Sequence, residues 1–219
     1  MRRIIRVGDG CVVALAEAHE AEGERSGPPP AGAAGGRECA GLAPAARADC
    51  LAARLAARRA LRHACRGGGG EAVTIGRRPG RPPVVRTATP ACGSRRLPVA
   101  LSLAHRDGLG AAAVAPEGAR VGVDVARRGG VRRSQLRYFA TPEERAAGPR
   151  DGSALWALKE AAWKALGLAQ DRPFHTLVLE FDGARRLAGV RVDGARHAAD
   201  ALLARPWPRH LLAVVRVDA

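Results

Sequence analysis

The sequence is poor in aromatic residues, in lysine and in cysteine patterns that bind or bridge. Only 3% of its 219 residues are aromatic, with three Trp, three Phe and one Tyr. So few rings leave little to stack bases on, which weighs against a single-stranded nucleic-acid module. No apolar run approaches the roughly 20 residues that a membrane-spanning helix needs. The start, Met1 to Asp9, lacks a small-residue cleavage site behind an apolar core, so no secretory signal is expected. The five cysteines, Cys11, Cys39, Cys50, Cys65 and Cys92, include no Cys-x-x-Cys pair. Odd number and wide spacing argue against a disulfide framework and a cysteine zinc site, and fit a reduced, cytoplasmic protein. No Gly-x-x-x-x-Gly-Lys-Ser/Thr, His-Glu-x-x-His or Gly-x-Ser-x-Gly motif occurs, which removes P-loop, zincin and serine-hydrolase chemistry.

What is present suits a folded chain. Hydrophobic residues make up 47% and charged residues 26%, outside the range of disordered sequences. The length allows one large domain or two small ones. The net charge is +15. That excess reads either as a coding preference for arginine or as attraction to a polyanion: nucleic acid, a phosphate-rich cofactor or an acidic protein. Arginine supplies 34 of the 36 basic residues, and the two lysines are Lys159 and Lys164, five residues apart. Lysine is a compact point charge and arginine a planar fork. The exception therefore points to a place where the smaller ammonium is needed.

Along the chain, residues 2–18 read as strand, turn at Gly8-Asp9-Gly10, and strand or helix start. Residues 23–45 are Gly/Pro/Ala-rich and read as a flexible loop. Helical spacing of Leu51, Leu55, Ala60, Leu61 and Ala64 predicts a helix over 46–65, ended by Gly67–Gly70. Ala72–Ile75 reads as a strand, 78–83 as a turn-rich loop, and Val99–Leu103 with Ala111–Ala115 as paired strands around His105, Asp107 and Gly108. A second half opens on a strand around Asp124. Thr141 then caps a helix starting at Pro142, 151–168 is the longest helix, 176–181 and 188–192 form a hairpin, and 210–217 is a last strand. Each half has one main helix and several strands, giving an α+β architecture of two similar halves with a boundary near residue 118.

The helix over 151–168 carries the unusual chemistry. At about 100° per residue, Trp156, Lys159, Glu160, Trp163 and Lys164 share one arc, and Leu155, Leu158, Ala162, Ala165 and Leu166 lie opposite. The first arc reads as a solvated face with a Glu160/Lys164 ion pair, or as the rim of a site whose aromatics exclude water. Asp124 reads alone as a strand-end cap. Taken with Glu160 it supplies two carboxylates, the usual protein share of a Mg²⁺ site completed by waters and substrate phosphates.

Three ordered segments, Val121-Gly122-Val123-Asp124, Phe139-Ala140-Thr141-Pro142-Glu143 and Trp156-Ala157-Leu158-Lys159-Glu160-Ala161-Ala162-Trp163-Lys164, resemble the signature of the 4'-phosphopantetheinyl transferases. The likeness is to the larger, surfactin-synthetase-activator type, a pseudo-dimer in one chain. Gly80-Arg81-Pro82 is similar to that family's Gly-Lys-Pro loop, Ser102-Leu103-Ala104-His105 to its Ser-x-Ser-His segment, and Arg58-Arg59-Ala60-Leu61-Arg62 to its basic helix. The resemblance covers roughly 46–217.

The resemblance implies two pseudo-twofold subdomains, each a small antiparallel sheet on a main helix, with the active site in the cleft between them. Residues 1–118 would take the adenosine and 3'-phosphate side of coenzyme A, and 119–219 the metal and catalytic side. The implied reaction moves the phosphopantetheine arm of coenzyme A to a serine of an acyl or peptidyl carrier protein, releasing 3',5'-ADP. Asp124 and Glu160 would hold Mg²⁺ or Mn²⁺, and Glu160 would help deprotonate the serine. Lys164 would neutralise the breaking diphosphate with support from Lys159. Arg58 and His105 would meet the 3'-phosphate and Arg81 the adenosine portion, with Ser102 in the same coenzyme-binding segment. Glu143 would sit near the metal or cap its helix. The chain departs from the pattern at Ala126, where a third acid is common, at Arg106 after the histidine, and at Arg81 in place of lysine. An acidic carrier protein, no membrane, no nucleic acid and a monomer are the expected associations. The alternatives are a relative that binds coenzyme A or a carrier protein without transfer, and a basic nucleic-acid-binding module.

Overall fold

The computed structural model describes residues 4–7, 10–23, 39, 41–64, 72–76, 83–89, 93–169 and 171–218. Arg81, the glycine run 67–70, the centre of the 23–45 loop, Cys65 and Cys92 lie outside the described residues. The chain divides into two compact units, Met1–Gly118 and Ala119–Ala219. Both combine helices with antiparallel sheets. Among the described residues no helix is long and apolar enough to cross a membrane.

In the first unit β1 (Ile4–Val7), β2 (Cys11–Glu17), β6 (Val99–Arg106) and β7 (Leu109–Pro116) form an antiparallel sheet in the order β1-β2-β7-β6. A short α1 (Ala18–Gly23) follows β2. The main helix, α2 (Pro44–Ala64), lies on β2, β6 and β7. It buries Leu51, Leu55 and Leu61 among alanines, each leucine contributing about 1.5–3 kcal/mol relative to an exposed one. The rows of alanine bring helix and sheet close. At Gly110 a Cβ would lie 2.2 Å from the carbonyl carbon of Ala52, so only glycine fits. A second, three-stranded antiparallel sheet is built from β3 (Ala72–Gly76), β4 (Val84–Thr89) and β5 (Gly93–Arg96).

The expectation of no disulfide is corrected here. Cys39 and Cys50 are bridged, with Cα atoms 5.9 Å apart. Spacing along the chain says nothing about distance through space, and α2 carries Cys50 to residue 39. Cys11 is buried.

In the second unit β8 (Arg120–Arg127), β9 (Leu177–Phe181), β10 (Leu187–Val192), β11 (Ala195–Trp207) and β12 (His210–Val217) form one antiparallel sheet in the order β8-β12-β11-β10-β9. Thus β8 and β9 are its two edges. The main helix, α4 (Gly152–Leu166), packs on β8 and β12 and also touches β9. Asp151 caps its start by accepting the Ser153 N–H, and Gly167 ends it in the left-handed conformation at φ 61°. A 3₁₀ turn (Arg133–Tyr138) and the short α3 (Pro142–Ala147) connect β8 to α4. Thr141 caps α3 as the sequence predicts, accepting the Glu144 N–H.

Candidate functional site

The site in the second unit begins with Gly122. Alternation along β8 puts Gly122, Asp124 and Ala126 on the face toward α4. A Cβ at Gly122 would sit 1.8 Å from the Ala161 carbonyl oxygen and 2.7 Å from the Ala165 nitrogen. The missing side chain lets the helix backbone rest on the strand. Two residues on, Asp124 is thereby brought against the next part of the helix. The Lys164 ammonium donates to Asp124 Oδ1 at 2.8 Å and to the Val123 carbonyl at 3.1 Å. Both side chains are partly open, Lys164 at 31% and Asp124 at 13%.

Glu160 stands one turn before Lys164. Burial raises its carboxyl pKa above the ordinary value, the Lys164 charge lowers it and the Asp124 charge raises it again. Asp124, Glu160 and Lys164 therefore form one electrostatic unit drawn from distant parts of the chain. Two carboxylates against one ammonium leave a net negative charge in a half-buried place. That donor set fits a hard divalent cation, which takes one or two carboxylates and fills its remaining positions with water and phosphate oxygens. Among the described residues no group of three or more His, Cys, Asp or Glu gathers at one point. Glu143 is thus not brought to Asp124 and Glu160. It is exposed in the first turn of α3, where the backbone N–H and the Thr141 hydroxyl lower its pKa. Ala126 is 6% exposed and belongs to the hydrophobic core under α4.

Lys159 occupies different surroundings. It is fully buried, and its ammonium donates to both Glu144 oxygens at 2.9 Å. Burial pushes its pKa down and the Glu144 carboxylate opposes that. The single charged arc expected on α4 is therefore split. Trp163 is 7% exposed, and Phe174 stacks between Trp156 and Trp163 at centroid distances of 4.9 and 5.0 Å. Phe139 meets Trp156 edge-on at 5.0 Å. These rings are packed on one another, with β9 and α3 covering a flank that a helical wheel leaves open. Glu144 reads in the sequence only as an acid favourable at the start of α3, and its pairing with Lys159 is not foreseen there. Its signal is the capping box Thr141-x-x-Glu144, which puts the carboxylate at a fixed point in the first turn.

In the first unit, α2 carries the half-buried Arg58, and β6 carries Ser102 and His105. Three residues apart on a strand, Ser102 and His105 point to opposite faces. Ser102 is 5% exposed. The His105 ring is on the α2 side, with Nδ1 3.5 Å from Asp49 Oδ2. Asp49 also accepts the Gly108 N–H, and so ties the start of α2 to the β6–β7 turn. The neighbouring Arg59 pairs with Glu20.

No curated protein matches the chain. Residues 120–211, less than half of the chain but including Asp124, Glu144, Lys159, Glu160 and Lys164, match the family model of the 4'-phosphopantetheinyl transferase superfamily.

Proposed function

We propose that the chain transfers the 4'-phosphopantetheine arm of coenzyme A to a serine hydroxyl of an acyl or peptidyl carrier protein. The observation that carries this reading is the Asp124–Lys164–Glu160 unit, gathered on the face of β8 that Gly122 opens to α4. The serine oxygen forms a bond to the β-phosphorus of coenzyme A. The bond from that phosphorus to the bridging oxygen breaks, and 3',5'-ADP leaves with the electron pair. Glu160, whose carboxylate is made more basic by burial and by Asp124, accepts the serine proton directly or through a water. Lys164 is partly exposed, so it can exchange Asp124 for the coenzyme A diphosphate and balance the charge that gathers on the departing 5'-phosphate of 3',5'-ADP as the bond lengthens. A divalent cation held by Asp124 and Glu160 would neutralise and orient that diphosphate. Arg58, His105, Ser102 and Arg81 remain assigned to the coenzyme A adenosine end by resemblance. An acidic carrier would meet a chain of net charge +15 with an electrostatically enhanced on-rate.

The test combines purified protein, coenzyme A, Mg²⁺ and an apo carrier protein, with the carrier mass as the readout. The carrier gains one phosphopantetheine unit, and Asp124→Ala and Lys164→Ala each abolish the gain. Full transfer by either variant overturns the roles assigned. A second reading, coenzyme A binding without transfer, is favoured by the apolar burial of Ala126 where an acid is common. Calorimetric binding of coenzyme A with no product across several carriers would select it.

A further inference from the structure

The two lysines of the chain do different work, and the buried one does not face a ligand. We propose that Lys159 and Glu144 form a positioning clamp that fixes the rotation of α4 about its own axis and so aims Glu160 and Lys164 at Asp124. The inference rests on the transferase reading for its catalytic consequence and on packing alone for its structural one.

Glu144 is completely buried and satisfied from three elements. Its Oε1 accepts Lys159 Nζ at 2.9 Å and the Leu179 N–H at 2.8 Å. Its Oε2 accepts Lys159 Nζ at 2.9 Å and the Thr141 N–H at 2.7 Å. One carboxylate thus joins the start of α3, the edge strand β9 and the middle of α4. The Phe174 ring, 5.8 Å from the ammonium, stands over it. Neither side chain has any exposed surface through which to meet a phosphate.

The opposite edge of the same sheet is β8, where Lys164 holds Asp124. Five residues on a helix turn through roughly 140°. The two lysines therefore leave α4 on different flanks, and each ends on a carboxylate tied to a different sheet edge. The buried pin holds the rotation, and the partly exposed one seats the helix against β8. The buried residues of α4 combine five alanines, Ala154, Ala157, Ala161, Ala162 and Ala165, with Leu155, Leu158 and Trp163. The alanines present low ridges to the sheet, and the buried pin adds to the packing of the larger side chains in selecting one rotation. A buried ion pair adds little net stability, and its best-attested use is to select one arrangement. Glu160 follows Lys159 directly and inherits the direction that the clamp sets.

Three variants of the full chain test this: Lys159→Met, Glu144→Gln, and both together. Lys159→Met leaves a buried carboxylate without its cation. It lowers the melting temperature, changes the near-ultraviolet circular dichroism of the Trp156/Phe174/Trp163 stack, and reduces kcat about 100-fold, the scale of an ångström misplacement, with the KM for coenzyme A little changed. Glu144→Gln leaves the ammonium without its anion and moves the same readouts in the same direction. The double variant is neutral and keeps a carbonyl for the Leu179 N–H. It strands no charge and so recovers the melting temperature, but with the pin gone it recovers neither the dichroism nor kcat. A double variant with wild-type dichroism and kcat overturns the proposal, as does a Lys159→Met protein that folds normally but loses affinity for coenzyme A. Should the wild-type chain transfer nothing to any carrier, the transferase reading falls, and the dichroism of the double variant still decides the clamp: an altered spectrum supports it and a wild-type spectrum overturns it.

Discussion

Gly122→Ala is the smallest change that separates the parts of the site without touching any of them. Real Cβ atoms keep at least 3.0 Å from such neighbours, and the new one would start 1.8 Å from the Ala161 oxygen, so helix and strand must part by 1.2 Å. The obstacle is helix backbone, which has no rotamer to escape into. Overpacking of this kind costs about 1–3 kcal/mol, and the upper figure suits a rigid neighbour. At about 2–4 °C per kcal/mol for a chain of this size, the melting temperature should fall by about 6–12 °C. The same displacement opens the 2.8 Å contact between Lys164 and Asp124 and shifts Glu160 with it. Transfer should then fall about 100-fold. The assays are a thermal melt followed by circular dichroism and carrier mass spectrometry. Gly183→Ala is the control, because nothing lies within 4 Å of its added Cβ. A Gly122→Ala protein with wild-type melting and wild-type transfer would refute the idea that backbone contact at this glycine builds the site.

Two further outcomes follow from the same geometry. Glu160 has a folded pKa above its ordinary 4.5, mainly through burial and then through Asp124, against the pull of Lys164. The stability that its protonated form contributes is complete below 4.5 and disappears as pH rises through the folded value. Glu160→Gln should therefore raise the melting temperature near neutral pH and leave it unchanged in acid. Mg²⁺ should stabilise the wild type more than the variant, and equal melting curves at neutral pH would contradict the assignment. Reduction of Cys39–Cys50 opens a loop of 11 residues' separation; loop entropy at that length gives about 3 kcal/mol, read as a lower denaturation midpoint with dithiothreitol in wild type but not in Cys50→Ser.

Most of the fold was legible where local pattern and final structure agree. The alternation around Asp124, the capped start at Pro142 and the apolar spacing of α2 and α4 each report their element directly. Strand β11 is not legible in this way. Its sequence Ala195–Trp207 holds five alanines, two leucines and two arginines, a composition that favours helix. It is a strand because β10 and β12 pair with it along both sides, a tertiary effect that outweighs propensity. The β3-β4-β5 sheet is legible only at β3, read over Ala72–Ile75; β4 and β5, short and rich in Thr and Arg, carry little alternation. The site was legible in its residue types and not in their burial. Lys159 and Lys164 look alike along the sequence, and the elements that cover one of them, α3 and β9, lie 15 and 20 residues away from it.

Burial then divides the labour between two residues of the same type. A lysine needs only a small opening for its ammonium, which is why it can sit at zero exposure between Glu144 and Phe174, where the planar fork of arginine would demand more room and more acceptors. That lysine has all its neighbours fixed and serves orientation. Lys164 has a carboxylate and a carbonyl as partners and nearly a third of its side chain in solvent, so it can change partners at modest cost. Breaking a buried pair strands a charge, while breaking a partly exposed one returns it to water. The arrangement therefore gives α4 one permanent attachment and one exchangeable attachment. A helix held in that way can release Lys164 to an incoming phosphate without losing the direction of Glu160.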